Sequence, residues 1–379
     1  MITRDVSIFM LLMTRVRDRG GDWDCRGGVV VINRNFSIIL TFVLLVIGAG
    51  LFFLFNDTTH KKKKKYLALL KEEGYFIPLK IYGYCPANLP FVEVKIGDRL
   101  FPAIVDLGSN VSVSLPFNLI DEIGEKKWVE QGHSYGMIGR THANNVYEVE
   151  KIKIQKMSFS SVKIKEKSLE SMNEGILKGQ YRSEYYHGII GWELFDQYNL
   201  LVDCRQYILA LCDSVETLRR KKYPVDSFTE VSLIPHQLLV IKVETEKGPL
   251  NCMLDTGSTL NMFNKNSNNR FIDQHHIDAK NDELAFLCLG NEDSFVFDPE
   301  DTQGFSSFKI EDREFGPISF VNINTSLEVD AILGMEFFDS HLVFIDFENQ
   351  KVYLSPYPKE AWPKQNLRPT IGPMQFHDL

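Results

Sequence analysis

The chain has 379 residues and a formal net charge of −8, from 42 basic and 50 acidic side chains. With 44% hydrophobic and 24% charged residues and 27 Phe it is neither disordered nor collagen-like, and six Cys are too few for a disulfide-built scaffold. The length argues against one compact core, and the acidic balance against a nucleic-acid partner.

Residues 1–35 show no periodic pattern and are assigned no fold. Phe36–Phe55 then runs for twenty residues without a charge (FSIILTFVLLVIGAGLFFLF). A helix of that length rises about 30 Å, enough to cross the hydrocarbon core of a bilayer. Residues 36–56 are therefore expected to form a transmembrane helix in contact with lipid. The run is too long for a cleaved signal peptide, and NDTTHKKKKK follows it, so an uncleaved anchor is expected. Residues 1–65 carry six Arg and five Lys against five Asp, a net +6, which leaves −14 for residues 66–379. Lys61–Lys65 lie closer to the span than Arg17, Arg19, Arg26 and Arg34, which favours a cytoplasmic body on a single-pass membrane protein. Residues 57–80 read as a Lys-rich juxtamembrane spacer.

The rest of the chain contains a long-period duplication. FPAIVDLGSNVSVSL (101–115) parallels LNCMLDTGSTLNMF (250–263), with Asp106 and Asp255 offset by 149. Further on, HGIIGWELFDQYNLLVDC (187–204) parallels AILGMEFFDSHLVFIDF (331–347) at an offset of 143. Ile189, Gly191, Glu193, Phe195, Asp196 and Asp203 recur as Ile332, Gly334, Glu336, Phe338, Asp339 and Asp346. The segments between, such as FVEVKIG, NVYEVEKIKI, LLVIKVE and LVFIDF, alternate or run apolar with β-branched and aromatic residues and read as strands. WELFDQ and MEFFDS each read as a short helical turn. The expected layout is a first half at 81–212, a linker at 213–230 (DSVETLRRKKYPVDSFTE), a second half at 231–358 and a tail at 359–379.

An Asp-x-Gly at the end of an apolar strand brings a carboxylate to a poorly solvated turn, and Gly lets another chain approach closely. One copy is usually only a turn. Two copies in duplicated halves can meet face to face, share a proton and titrate as a pair. The ionised member can then take a proton from a bound water while the protonated one polarises a carbonyl. No metal or other cofactor is needed. No HExxH, CxxC, P-loop or GxGxxG is present, so no zinc or nucleotide site is expected. The cysteines are expected to be reduced and unpaired.

These motifs, Asp106-Leu107-Gly108-Ser109 with Ile189-Ile190-Gly191 and Asp255-Thr256-Gly257-Ser258 with Ile332-Leu333-Gly334, resemble the aspartic peptidases, both pepsin-like and retropepsin-like. The resemblance covers about 275 residues, from Tyr82 to Pro356. It implies an all-β, bilobal fold with pseudo-twofold symmetry, an aspartic endopeptidase activity on a peptide or protein substrate, and Asp106 and Asp255 as the catalytic pair. It also implies that Gly191 and Gly334 support the Asp loops, and that Ser109 and Ser258 hydrogen-bond the outer carboxylate oxygens. Thr256 would lock the loops together. Leu107 departs from the pattern, since it has no hydroxyl for the second half of that lock. Leu107 motivates a rival reading, an inactive peptide-binding or scaffold module at the membrane. Ser134-Tyr135-Gly136-Met137-Ile138-Gly139 is the candidate flap, with Tyr135 and Gly136 at its tip, and it also reads as an ordinary Gly-containing hairpin.

Overall fold

A computed structural model describes residues 74–84, 89–135, 141–167, 188–266, 285–288, 294–297, 301–357 and 370–371. The fold is mostly β, as the alternating apolar pattern of the sequence requires. Among the described residues no helix is long and apolar enough to cross a membrane. The expected span 36–56, the unassigned 1–35, the lysine run and Gly136 lie outside them.

The first half opens with β1 (Phe76–Lys80), β2 (Tyr82–Tyr84), β3 (Leu89–Ile96) and β4 (Arg99–Asp106). There follow β5 (Val113–Pro116), β6 (Lys127–Tyr135), β7 (Thr141–Ile154), β8 (Met157–Lys167) and β9 (Gly188–Gly191). Hydrogen bonding orders these as β2-β3-β4-β9-β5-β8-β7-β6, and β3 also pairs with β7. The path from β3 through β4, β9, β5 and β8 to β7 therefore closes on itself as a barrel, which leaves fewer open edges.

A hairpin, β10 (Asn199–Asp203) and β11 (Ile208–Cys212), leads to the junction. The second half contains β12 (Thr229–Ile234), β13 (Val240–Thr245), β14 (Gly248–Leu254), β15 (Met262–Asn264), β16 (Ala285–Cys288) and β17 (Ser294–Phe297). After these come β18 (Thr302–Phe305), β19 (Phe308–Ile310), β20 (Arg313–Glu314), β21 (Ile318–Ile323) and β22 (Ala331–Leu333). β23 (His341–Asp346) and β24 (Lys351–Pro356) form the closing hairpin, and β25 (Thr370–Ile371) returns beside β2.

The duplication is visible in the register. β9 runs parallel to β4 and antiparallel to β5, and β22 runs parallel to β14 and antiparallel to β15. The halves join where β10 pairs antiparallel with β23, with Leu200 opposite Ile345, Leu201 opposite Phe344 and Val202 opposite Val343. Phe344 is the copy of Leu201 at the offset of 143, so a local twofold passes through that pair. The turns that follow are copies too. Gln206 N–H and side-chain amide donate to Asp203 at 3.1 and 2.9 Å, and Asn349 does the same to Asp346 at 3.0 and 2.8 Å. One apolar core, holding Val105, Leu107, Leu254, Leu333 and Phe338, runs through both halves.

Two boundaries expected from sequence need correction. Residues 76–80 are not spacer: β1 pairs with β11 from Phe76–Cys212 to Lys80–Ile208, and Leu79 is fully buried. The stretch 213–230 is structured, with a helix at Val215–Arg220 and β12 beginning at Thr229. Ser214 caps that helix by accepting the Thr217 N–H at 3.2 Å, while Leu218, Tyr223 and Val225 pack under β10 and β23. A helix of six residues is too short to show an apolar period, which is why it reads as a linker. Thr370–Ile371 in the tail pair in parallel with Gly83–Tyr84.

Candidate active site

β4 delivers Asp106 and β14 delivers Asp255, each at the end of a strand whose alternate residues are locked in the core. The next residues turn back at once, with Ser109 N–H donating to the Asp106 carbonyl (3.2 Å) and Ser258 N–H to that of Asp255 (3.4 Å). The returning strands β5 and β15 then sandwich β9 and β22 against the Asp strands. Trp192 N–H donates to the Ser109 carbonyl (3.1 Å), and Met335 N–H to that of Ser258 (2.8 Å). This is how each apolar-apolar-Gly element holds its own loop. A Cβ at Gly191 would collide with the Val111 carbonyl, and one at Gly334 with the Leu260 carbonyl, so only Gly fits.

The two loops face each other. A Cβ built on Gly108 would lie 2.5 Å from the Asp255 carboxyl carbon, and one on Gly257 would lie 2.5 Å from that of Asp106. Each glycine thus makes room for the opposite carboxylate, and the two carboxyl groups are close enough to hydrogen-bond. Burial raises the pKa of both. Their neighbours differ, however. Asp106 is raised well above the carboxylate range by burial, then by the charge of Asp255 and by donating its proton to that residue. Asp255 is raised by burial, but it receives that hydrogen bond and backbone N–H groups of Gly257, Gly108 and Ser258, which favour its ionised form. The Gly257 N–H sits 2.7 Å from Asp255 Oδ1. The Gly108 N–H and the charge of Lys167 also favour an ionised Asp106, so the two carboxyls titrate as one coupled pair.

Thr256 is fully buried between the halves. Its hydroxyl accepts the Leu107 N–H at 3.1 Å and donates to the Val105 carbonyl at 2.6 Å, so one side chain grips the opposite strand at two points. Leu107 cannot reciprocate. It is fully buried in the core instead, where a leucine side chain contributes about 2 kcal/mol relative to exposure. A typical hydrogen bond contributes about 1 kcal/mol net, so the exchange is tolerable for stability.

One of the two serines departs from expectation. Ser258 directs its hydroxyl to the Leu260 carbonyl (2.8 Å), and its backbone N–H, not its side chain, supports Asp255. Ser109 is buried and supports its loop through backbone bonds. Tyr135 closes β6, opposite Thr141 in β7, and the rest of the candidate flap, 136–139, lies outside the described residues. Asn261 was missed, and the recurring Glu193 and Glu336 had been given no role. Asn261 accepts the Gly334 N–H at 3.0 Å, and its own N–H donates to Glu336 (3.1 Å). Glu193, the copy of Glu336, accepts from the Ser112 hydroxyl at 3.5 Å. The recurrence of Glu after each Gly was the available signal.

Among the described residues no group of three or more His, Cys, Asp or Glu could hold a metal ion. Cys204, Cys212 and Cys252 are buried free thiols. No family model matches the chain, and no curated protein matches it.

Proposed function

We propose that this chain is an aspartic endopeptidase with the bilobal fold of that class, tethered to a membrane by residues 36–56. The observation that carries the reading is the reciprocal packing of Gly108 on Asp255 and Gly257 on Asp106, which sets two carboxylates face to face at the junction of two duplicated halves. In the reaction, Asp255 takes a proton from a water held between the carboxylates. Protonated Asp106 donates a hydrogen bond to the substrate carbonyl, whose carbon the water attacks. The tetrahedral intermediate collapses as Asp255 passes the water's proton to the peptide nitrogen, and the C–N bond breaks. No cofactor enters.

The test is hydrolysis of a peptide library by the full chain. Asp106→Asn and Asp255→Asn should each abolish turnover while the protein stays folded. Full activity in either variant would overturn the assignment. The second reading, an inactive peptide-binding module, is favoured by the missing hydroxyl at Leu107. It would show as binding of a statine-type peptide without turnover in both the parent and Leu107→Thr. The tether is supported by the uncharged run Phe36–Phe55 and its basic flanks. A protease-protection assay on sealed vesicles tests it, with the body expected on the cytoplasmic side.

A further inference from the structure

The duplicated halves can be compared strand by strand across the wall that carries the catalytic pair. Along β4, Ala103, Val105 and Leu107 point into the main core, so Ile104 and Asp106 share the opposite face. Pairing carries that face sideways. Ile104 opposes Ile189 in β9, Ile189 opposes Ser114 in β5, and Ser114 opposes Lys165 in β8. Pro116 opposes Lys167, two residues along on the same face, whereas Ile164 lies in the core. In the second half the same path runs from Met253 to Ile332, Met262 and Val321, and Asn264 opposes Ile323.

Lys167 and Ile323 therefore occupy corresponding positions, as do Lys165 and Val321. Met253, Ile332, Met262 and Ile323 form one buried apolar cluster with Val321 packed against it. The first wall instead carries two lysines at those positions, Lys165 opposite Ser114 and Lys167 opposite Pro116. Lys165 is held by the His133 carbonyl at 2.7 Å. Lys167 is only 6% exposed, and its charge acts on Asp106 in the direction that favours the ionised form. A buried ammonium is costly, and Ile323 shows that this fold is satisfied by an apolar residue in that position.

We propose that Lys167 determines specificity by receiving an acidic side chain of the peptide on one side of the scissile bond, while the cluster around Ile323 receives an apolar side chain at the matching position on the other. The proposal rests on the aspartic endopeptidase reading above. An ammonium has three donors, so Lys167 can meet a substrate carboxylate while keeping a protein partner. The same charge repels Lys and Arg, which makes the Lys61–Lys65 run of the chain itself a poor substrate.

The experiment uses the full chain in detergent and statine-containing peptides that differ only by Glu or Gln at each position near the statine. At one position the parent should bind the Glu peptide about tenfold more tightly, the size expected for a charge-assisted hydrogen bond. Lys167→Met should remove that preference and leave binding of the Gln peptide within a few-fold, while Lys167→Arg should retain it. An unchanged Glu preference in Lys167→Met, or no Glu preference at any position in the parent, would overturn the proposal. Hydrolysis of the corresponding cleavable peptides is scored separately. Selective binding without hydrolysis sinks the enzymatic reading alone, whereas hydrolysis without charge selectivity sinks the role of Lys167 alone.

Discussion

Thr256→Val tests the coupling of the halves with almost no change in side-chain shape. The hydroxyl it removes makes two hydrogen bonds, at 3.1 Å from the Leu107 N–H and at 2.6 Å to the Val105 carbonyl. Thr256, Leu107 and Val105 are all fully buried, so water cannot replace the lost partner. Leaving a buried polar group unsatisfied costs about 1–3 kcal/mol, and with two groups affected the expected destabilisation is about 2–6 kcal/mol. Urea unfolding of the full chain in detergent should show a lower midpoint at unchanged slope. Amide exchange at Leu107 should accelerate, since its N–H loses its acceptor. Turnover should fall as well, because the Asp loops are no longer held in register. A change below about 0.5 kcal/mol, with Leu107 exchange unaltered, would refute the idea that this hydroxyl joins the halves.

Other outcomes follow from the same geometry. Turnover should be bell-shaped in pH, with both limbs set by the coupled Asp106–Asp255 pair; both should lie above ordinary carboxylate values, because burial raises both groups. A carboxyl whose pKa is raised on folding weakens the fold as pH climbs through the folded-state value, so Asp106→Asn should raise the Tm at pH 7 while abolishing hydrolysis. Gly108→Ala should eliminate turnover, since its Cβ would lie 2.5 Å from the Asp255 carboxyl carbon. His341 has its pKa lowered from 6.5 to about 4 by burial, against a hydrogen bond to the Phe337 carbonyl and beside the Arg313 charge. Its contribution is therefore complete above pH 6.5 and is lost as pH falls toward 4, about 3 kcal/mol in all. Acid titration of stability should flatten in that window in His341→Phe; an unchanged slope would show that other groups dominate.

The facing carboxylates and their supports were legible because each is written in a few consecutive residues, Asp-x-Gly-Ser and apolar-apolar-Gly, and because each is written twice. What escaped the sequence depends on pairing between distant segments. β1 at Phe76–Lys80 is a strand only because β11, more than a hundred residues on, supplies its partner, and Thr370–Ile371 likewise depend on β2. The Ser258 hydroxyl was assigned to the carboxylate on the strength of a motif, yet the turn places the Leu260 carbonyl within its reach first. Lys167 carries no motif of its own. Only the register of β5 on β8, set against that of β15 on β21, shows that it stands where the other half has Ile323.

The seam between β10 and β23 has an implication for ancestry. Each strand meets its own copy there, so a half cut free of its partner would present β10 as an open edge able to pair with β10 of another identical half. The single chain thus holds the plan of a homodimer whose subunits have been fused. Fusion replaces a bimolecular association with an intramolecular one of high effective concentration. A dimer assembling from dilute subunits needs every contact across its axis, including a threonine on both sides. Once the subunits share a chain, that demand relaxes, and position 107 is free to become a core leucine while position 256 keeps the grip for both.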